Sequence, residues 1–534
     1  MDPSQEQREW QEQSFASPQP QNGTIIEDFV FAVGIINFHH IRGPEIEYWL
    51  DTEGKSPLDP EKIASINERW PYLSFEALPD GAHMFTECFS EFSLVFDQSS
   101  LFGCACVRQV DRADLINNED REYTRSTVQK AVVLITRYPI TIQLREQLSI
   151  ITMTFFEQMD FRDREIVQLF YDNIRARYRH VKILNDDPFE TLTENSSSEN
   201  GDGALKIIKE SDFYVGLDLK HLVLGLKRNL LILLKALLLE KRIMFYSKNL
   251  MKLFNSQMSF LSLIPNLLLN LQDCSDPSLN SLSQNRTKLT SLKTSDRTSM
   301  LNFIGLPLKL FDKGGFFQPY LTLQQNEVLT QKNTLWYLIG TSNDLFLNQR
   351  HKIADIVVHV DHLGESSIEI LNEDLKPSLS LTNADKKFID FIVHQVKLAH
   401  LENEGGSGSN TINNFNLSKS FNGGNEFIRN NLEDYLIGLL STLKYEKFLE
   451  NATPTQLNSL IPMGNTNHTQ LHSDVKHYNE LFISEYRKSN NYQIFDDSTD
   501  DELFNFFEPT HAANLIASPN IWDKMAKPFQ KLRR

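Results

Sequence analysis

The sequence predicts a multidomain protein, α/β and α+β, in which an α+β block is followed by a three-layer α/β block and then a helical block. Three observations predict it. Strand-like apolar runs crowd the region up to Val110 before helical periodicity sets in, apolar helices alternate with short β-rich runs through the middle, and amphipathic helical patterns dominate the last third. A length of 534 residues exceeds one ordinary core and suits about three domains of roughly 100 to 200 residues.

The polar, Gln- and Pro-rich residues 1–24 read as disordered. The first block, 25–184, opens with the run FVFAVGIINF from Phe29, then EIEYWL after an Arg42-Gly43-Pro44 turn, then FSLVFD and LFGCACVRQV. Two helical segments are expected after them, STVQKAVVLITRY and DREIVQLFYDNIRARYRH. Residues 185–203 are polar and Gly/Ser/Asn-rich, and read as a linker. In the second block, 204–365, Leu222 to Leu239 is the most apolar stretch, but Lys227, Arg228, Asn229 and Lys235 interrupt it, so it reads as a core helix and not a span. Short β-type runs follow at Ile243–Ser247, LWYLIGTSN and DIVVHVD, with MKLFNSQMSFLSLI as a helix ending near Pro265. Asp273 to Ser299 reads as a flexible insert, and Lys313-Gly-Gly-Phe-Phe as a mobile loop. The third block, 384–534, carries apolar stripes in DKKFIDFIVHQVKLAH and EFIRNNLEDYLIGLLSTLKY, separated by a flexible insert at 402–425.

Composition narrows the function. Acidic side chains outnumber basic ones by 70 to 53, a net charge of -17, and no long Lys/Arg stripe is available to neutralise a phosphate backbone, which argues against nucleic acid as a partner. Four cysteines, Cys88, Cys104, Cys106 and Cys274, are too sparse for a disulfide framework. With no signal-like N-terminus, the expected setting is the cytoplasm. The ending KMAKPFQKLRR, Lys524 to Arg534, sets five cations beside Met and Phe; a solvated tail is the simpler reading, and peripheral contact with an anionic membrane is the alternative.

No catalytic constellation emerges. His39 and His40 are neighbours at a strand end and point to opposite faces, so they cannot share a metal; one is expected exposed and the other packed on the turn. Cys104 and Cys106 share a strand face and read as small core hydrophobes. Glu240-Lys241-Arg242 reads as a helix C-terminus whose cations complement the dipole. There is no Gly-x-Ser-x-Gly elbow, no phosphate loop, no HExxH and no kinase motif set. These residues imply no cofactor, no metal and no small-molecule substrate.

A resemblance carries the reading further. Phe31 to Trp49, with its Phe-His-His and Gly-Pro turn, resembles the first hairpin of the late secretory pathway family of DENN-domain proteins. Arg121-Glu-Tyr-Thr-Arg-Ser-Thr-Val-Gln-Lys is similar to a further family segment, and Glu240-Lys-Arg-Ile-Met-Phe-Tyr-Ser resembles the central DENN signature. The most specific matches are Leu306 to Gln325 and Tyr337-Leu-Ile-Gly-Thr-Ser-Asn, and the likeness runs from Phe29 to about Asp497 through Phe427-Ile-Arg and Asp434-Tyr-Leu. It implies an N-terminal longin-like module, a central DENN module and a helical downstream module. DENN modules act as guanine-nucleotide exchange factors for Rab GTPases, so the resemblance implies a Rab partner and exchange activity in Golgi to plasma membrane traffic, with peripheral association to Golgi or vesicle membranes. A non-catalytic Rab- or coat-binding scaffold is the second expectation. A GTPase-activating role would need an arginine finger, for which Arg42 and Arg108 are the early candidates. On the family motifs the GTPase-contact candidates are His39, His40, Arg42, Glu45, Glu240, Arg242, Thr341 and Asn343.

Overall fold

The computed structural model describes residues 25–516 except 55, 117–125, 185–204, 282–296, 363–366, 405–422 and 454–474. The expectations for 1–24, for the 185–203 linker, for most of the 402–425 insert and for the 524–534 tail lie outside these residues.

The first block is built on five antiparallel strands: β2 (Val30–His39), β3 (Gly43–Asp51), β4 (Glu87–Phe96), β5 (Ser99–Asp111) and β6 (Thr127–Thr136), in the order β3-β2-β6-β5-β4. Helices α1 (Pro60–Arg69) and α2 (Leu73–Ala77) pack near β3 and β4, and α3 (Thr141–Glu157) and α4 (Glu165–Arg177) against β5, β6 and β2. The segment expected as the helix STVQKAVVLITRY is instead the central strand β6. Covered on both faces, it shows a continuous apolar run from Ala131 to Ile135 in place of alternation, and such a run fits either period; its Thr and Val content was the discriminating signal. The sequence reading passes over α3 altogether.

A small second sheet joins β1 (Ile25–Glu27), β7 (His180–Leu184) and β8 (Lys206–Lys209), so the chain on both sides of the expected linker pairs in one sheet. The stretch expected as one core helix from Leu222 is two helices, α5 (Leu219–Leu226) and α6 (Asn229–Leu238). Lys227 breaks it, with φ at 51°, a backbone region unfavourable to a side chain with a Cβ. Among the described residues no helix is long and apolar enough to cross a membrane.

The central sheet runs β10-β11-β9-β12-β13, from β9 (Ile243–Tyr246), β10 (Gly315–Gln318), β11 (Trp336–Thr341), β12 (Ile356–His359) and β13 (Ile368–Ile370). Its first four strands are parallel and β13 closes the edge antiparallel, beyond the expected boundary at 365. Helix α7 (Leu250–Leu261) lies against β9 and β11 and reaches β4 of the first sheet. The expected mobile loop at Lys313 is in fact β10. Gly314 takes a positive φ of 86°, and Gly315 lacks the Cβ that would sit 2.5 Å from the Trp336 indole, so the strand docks flat beside β11. The expected flexible insert also shrinks: Cys274 is buried and its carbonyl accepts from Phe317 N at 2.6 Å, and Arg297 begins a helix, Arg297–Ile304, tied by its guanidinium to Glu433 at 2.6 Å.

The helical block consists of Asn383–Glu404 and Asn425–Asn451 with shorter helices at Glu480–Tyr486, Asn490–Ser498 and Ala512–Ile516. The long helices take the ends of the expected 402–425 insert. Lys235 of α6 joins this block to the centre: its ammonium donates to Asp385 at 2.6 Å and to the Tyr478 carbonyl at 3.2 Å, with both charged side chains at 0% exposure. Burial opposes charge on Asp385, but His511 at 3.2 Å, Lys235 and the Thr382 amide hold its carboxyl down at about 2. Lys235→Met removes the partner and leaves a buried anion, so thermal and urea unfolding should show a loss of about 3 to 5 kcal/mol.

Candidate functional site

Pairing register places the family-motif residues. Glu45, Asn37, Lys130, Arg108 and Glu87 form one row across the five strands of the first sheet. Just beyond that row, at one end of the sheet, stand the β2–β3 hairpin tip on the far edge and the segment Asp80 to Phe85 on the near edge, four strand spacings or roughly 19 Å apart. The near edge faces the central sheet.

At the hairpin tip, His39 Nδ1 accepts from Ile41 N and Arg42 N, each at 3.2 Å, and the rings of His39 and His40 stack at 5.1 Å. Neither imidazole is exposed; both are half-buried, because His40 lies past the strand end and folds over its neighbour instead of pointing to the opposite face. Arg42 makes a two-pronged pair with Glu45 at 2.7 Å, which holds the Glu45 carboxyl below its usual range. Arg108, the other arginine considered, pairs with Glu87 at 2.8 Å.

Glu240 and Arg242 lie elsewhere, both half-buried and both bonded to other elements. Glu240 has a φ of 55°, and its carboxylate accepts from Asn490 N at 3.0 Å, from Asn491 N at 2.7 Å and from the Asn491 amide at 2.9 Å, so it caps the helix Asn490–Ser498. Arg242 grips Asp355 through Nε at 3.1 Å and Nη2 at 2.9 Å, stapling the start of β9 to the start of β12. The expected dipole-complementing role gives way to these two ties. Thr341 is 0% exposed at the end of β11, with Asn343 N donating to its hydroxyl at 3.2 Å, which puts Thr341 out of reach of a partner.

Asn343 is different. It caps the helix Asp344–Asn348 by accepting from Leu345 N at 2.9 Å, and its amide donates to Asp80 Oδ2 at 2.9 Å across the seam between the first and central blocks. Around it lie the C-terminal ends of β9 and β11, where open parallel sheets place binding sites. Lys248 bonds to Asp344 at 2.8 Å and to the Ser342 carbonyl at 3.1 Å, and Tyr246 donates its hydroxyl to Asp344. Lys248 first, then Tyr246, hold the Asp344 carboxyl below its usual range. Asp361 accepts from Ser247 Oγ at 2.7 Å and from Lys248 N at 2.9 Å. Beside this polar edge the apolar side chains Met84 at 63%, Leu345 at 48% and Met251 at 44% are exposed. The described residues of this edge are polar groups hydrogen-bonded to one another, with exposed apolar side chains beside them. Among the described residues no group of three or more His, Cys, Asp or Glu side chains is placed to hold a metal.

A family model described as transport protein Avl9 matches residues 30–443, more than half of the chain. The chain belongs to the Avl9 family. Late secretory pathway protein AVL9 of Saccharomyces cerevisiae is 36% identical over 510 residues, covering 91% of this chain and 61% of that protein. Late secretory pathway protein avl9 of Schizosaccharomyces pombe is 34% identical over 517 residues, 96% of each chain. The chain thus spans less than two thirds of the length of the S. cerevisiae relative.

The Avl9 match contains both five-stranded sheets and all eight candidate residues, and the structure sorts those residues into a hairpin tip, two ties between elements, the buried Thr341 at the end of β11, and Asn343 at the edge beside it. Motif reading misses Asp80, Tyr246, Lys248, Asp344 and Asp361. The available signal was position: Tyr246-Ser247-Lys248 and Ser342-Asn343-Asp344 each follow a short apolar strand. In this Avl9-family chain Glu240→Ala strips the Asn490 and Asn491 amides of their acceptor and should lower stability by about 1 to 2 kcal/mol in urea unfolding.

Proposed function

We propose that this chain serves late secretory transport as a guanine-nucleotide exchange factor for a Rab-family GTPase, docking it where the first sheet meets the C-terminal edge of the central sheet. Its three blocks take the parts of longin-like, central DENN and helical downstream modules. The observation that carries the proposal is the seam itself, where the open apolar side chains Met84 and Leu345 flank the Asp80–Asn343 bond in a protein whose relatives are named for the late secretory pathway.

Exchange asks for no general base. A factor that binds the nucleotide-free GTPase more tightly than the loaded one lowers nucleotide affinity by that difference, and cytosolic GTP then refills the site. An edge of hydrogen-bonded polar groups with apolar side chains beside it suits such differential binding. For the cationic Lys524–Arg534 segment a solvated tail is the simpler reading and peripheral membrane contact the alternative.

The test is release of fluorescent GDP from a panel of purified Rab and Arf-type GTPases at catalytic amounts of this protein. One GTPase should be accelerated, and Leu345→Glu should cut that acceleration at least tenfold while leaving the unfolding midpoint near wild type, because the side chain is exposed. A stable complex with a GTP-loaded GTPase and no acceleration would make the protein an effector or scaffold.

A further inference from the structure

Glu76, on α2, is 1% exposed and stands at the seam between the two five-stranded sheets. Its Oε1 accepts from Gln318 Nε2 at 2.8 Å and from Gln325 Nε2 at 2.7 Å, both from the central block, while its Oε2 has no hydrogen-bond partner among the described residues. The same seam continues through Ser93, whose amide donates to Gln318 Oε1 at 2.7 Å and whose hydroxyl donates to the Phe317 carbonyl at 2.9 Å. Two donors on one oxygen fill both lone pairs of a carboxyl C=O, and the second oxygen has neither donor nor acceptor among the described residues, a position that costs a neutral hydroxyl less than a bare anion. An ionised carboxylate in that place would be a buried charge with no cation bonded to it.

We propose that this seam is a proton-operated latch, closed by the protonated carboxyl of Glu76 and loosened when that carboxyl ionises and must be hydrated. Burial pushes the group up to about 8, against which the Gln325 bond works only in part. Among the described residues the surroundings supply no compensating charge. Helix α2 and strand β10 carry no other titratable side chain, and the turn Leu323–Thr330 carries only Glu327, which is exposed. On β4, Glu87 and Glu91 are paired with Arg108 and Arg145, and burial pushes the Cys88 thiol up to about 12. On β3, Glu45, Glu47 and Asp51 are paired with Arg42, Lys130 and Lys62, and burial raises the Tyr48 phenol. On β5, burial keeps the Cys104 and Cys106 thiols neutral, and Asp111 is exposed. In the adjoining loops, Asp80 is exposed and bonded to Asn343, and the buried Tyr320 phenol is held neutral.

The sign follows from linkage. The closed seam holds the Glu76 proton up to about pH 8, whereas an opened seam releases it near the ordinary carboxylate value, so opening becomes easier as pH rises between those limits and levels off above the upper one. Hydrogen exchange of the full chain, corrected for intrinsic rate, reads this in peptides spanning Ser90–Val95 and Gly315–Gln318. Their protection should fall by about tenfold per pH unit between pH 5.5 and 8 and then flatten. Glu76→Gln, a neutral isostere, should abolish the slope and be better protected than wild type at pH 7.5. Gln325→Ala removes a donor that favours the ionised form, so the flattening should begin at higher pH. A wild-type seam with no slope overturns the latch by itself, as does a slope that Glu76→Gln leaves in place or a Gln325→Ala profile that does not move upward. If Glu76→Gln fails to fold, the wild-type and Gln325→Ala profiles still decide.

Discussion

Gln318 sits where two sheets become one core. Its side chain accepts from the backbone of β4, donates to the Ser93 carbonyl at 3.2 Å and donates to Glu76, so a single amide on β10 satisfies buried groups from two other elements, β4 and α2. Buried polar groups without partners are costly, and that rule turns a side-chain bond into a constraint on architecture. Where the edge strands β4 and β10 meet, Gln318 reaches Ser93. The rest follows from that contact: α7 spans from the central sheet to β4, and Asp80 comes within reach of Asn343.

The helical block is fastened by a different rule. Charges as deeply buried as Lys235 and Asp385 persist only when fully paired, and here the anion also receives Tyr435 at 3.0 Å and His511. Glu240, two residues past the end of α6, repeats the device by accepting from the first amides of the helix at Asn490. Both joins use polar groups projecting from the same apolar helix region, so the α5–α6 stretch is a hub between blocks and not merely filling. This also explains why Glu240 stands in a motif without facing solvent.

Function on this reading is a property of surfaces brought together. Neither the Asp80 segment nor the β11 end is distinctive alone. The seam puts an exposed Met84 and an exposed Leu345 on either side of one hydrogen bond, and it sets that bond at the mouth of a parallel sheet. The β2–β3 hairpin tip, which holds half of the motif candidates, is tied within itself through His39 and the Arg42–Glu45 pair and lies across the sheet from that mouth.

By itself the sequence determined the strands around Phe29, Trp49 and Val95, the long apolar-striped helices of the last block, the short strands at Ile243, Trp336 and Ile356, and the small, buried character of Cys104 and Cys106. These elements write their own period or burial into neighbouring residues. Four things needed the tertiary structure. Strand β6 was ambiguous because burial on both faces erases alternation; the break at Lys227 and the strand at Gly315 depend on a backbone angle and on an indole supplied from elsewhere. The partners of Glu76, Glu240 and Asn343 lie more than 240 positions away in the chain, and no local pattern encodes a hydrogen bond across that separation. Local sequence sets which conformation each segment prefers; only packing decides which polar groups must find one another.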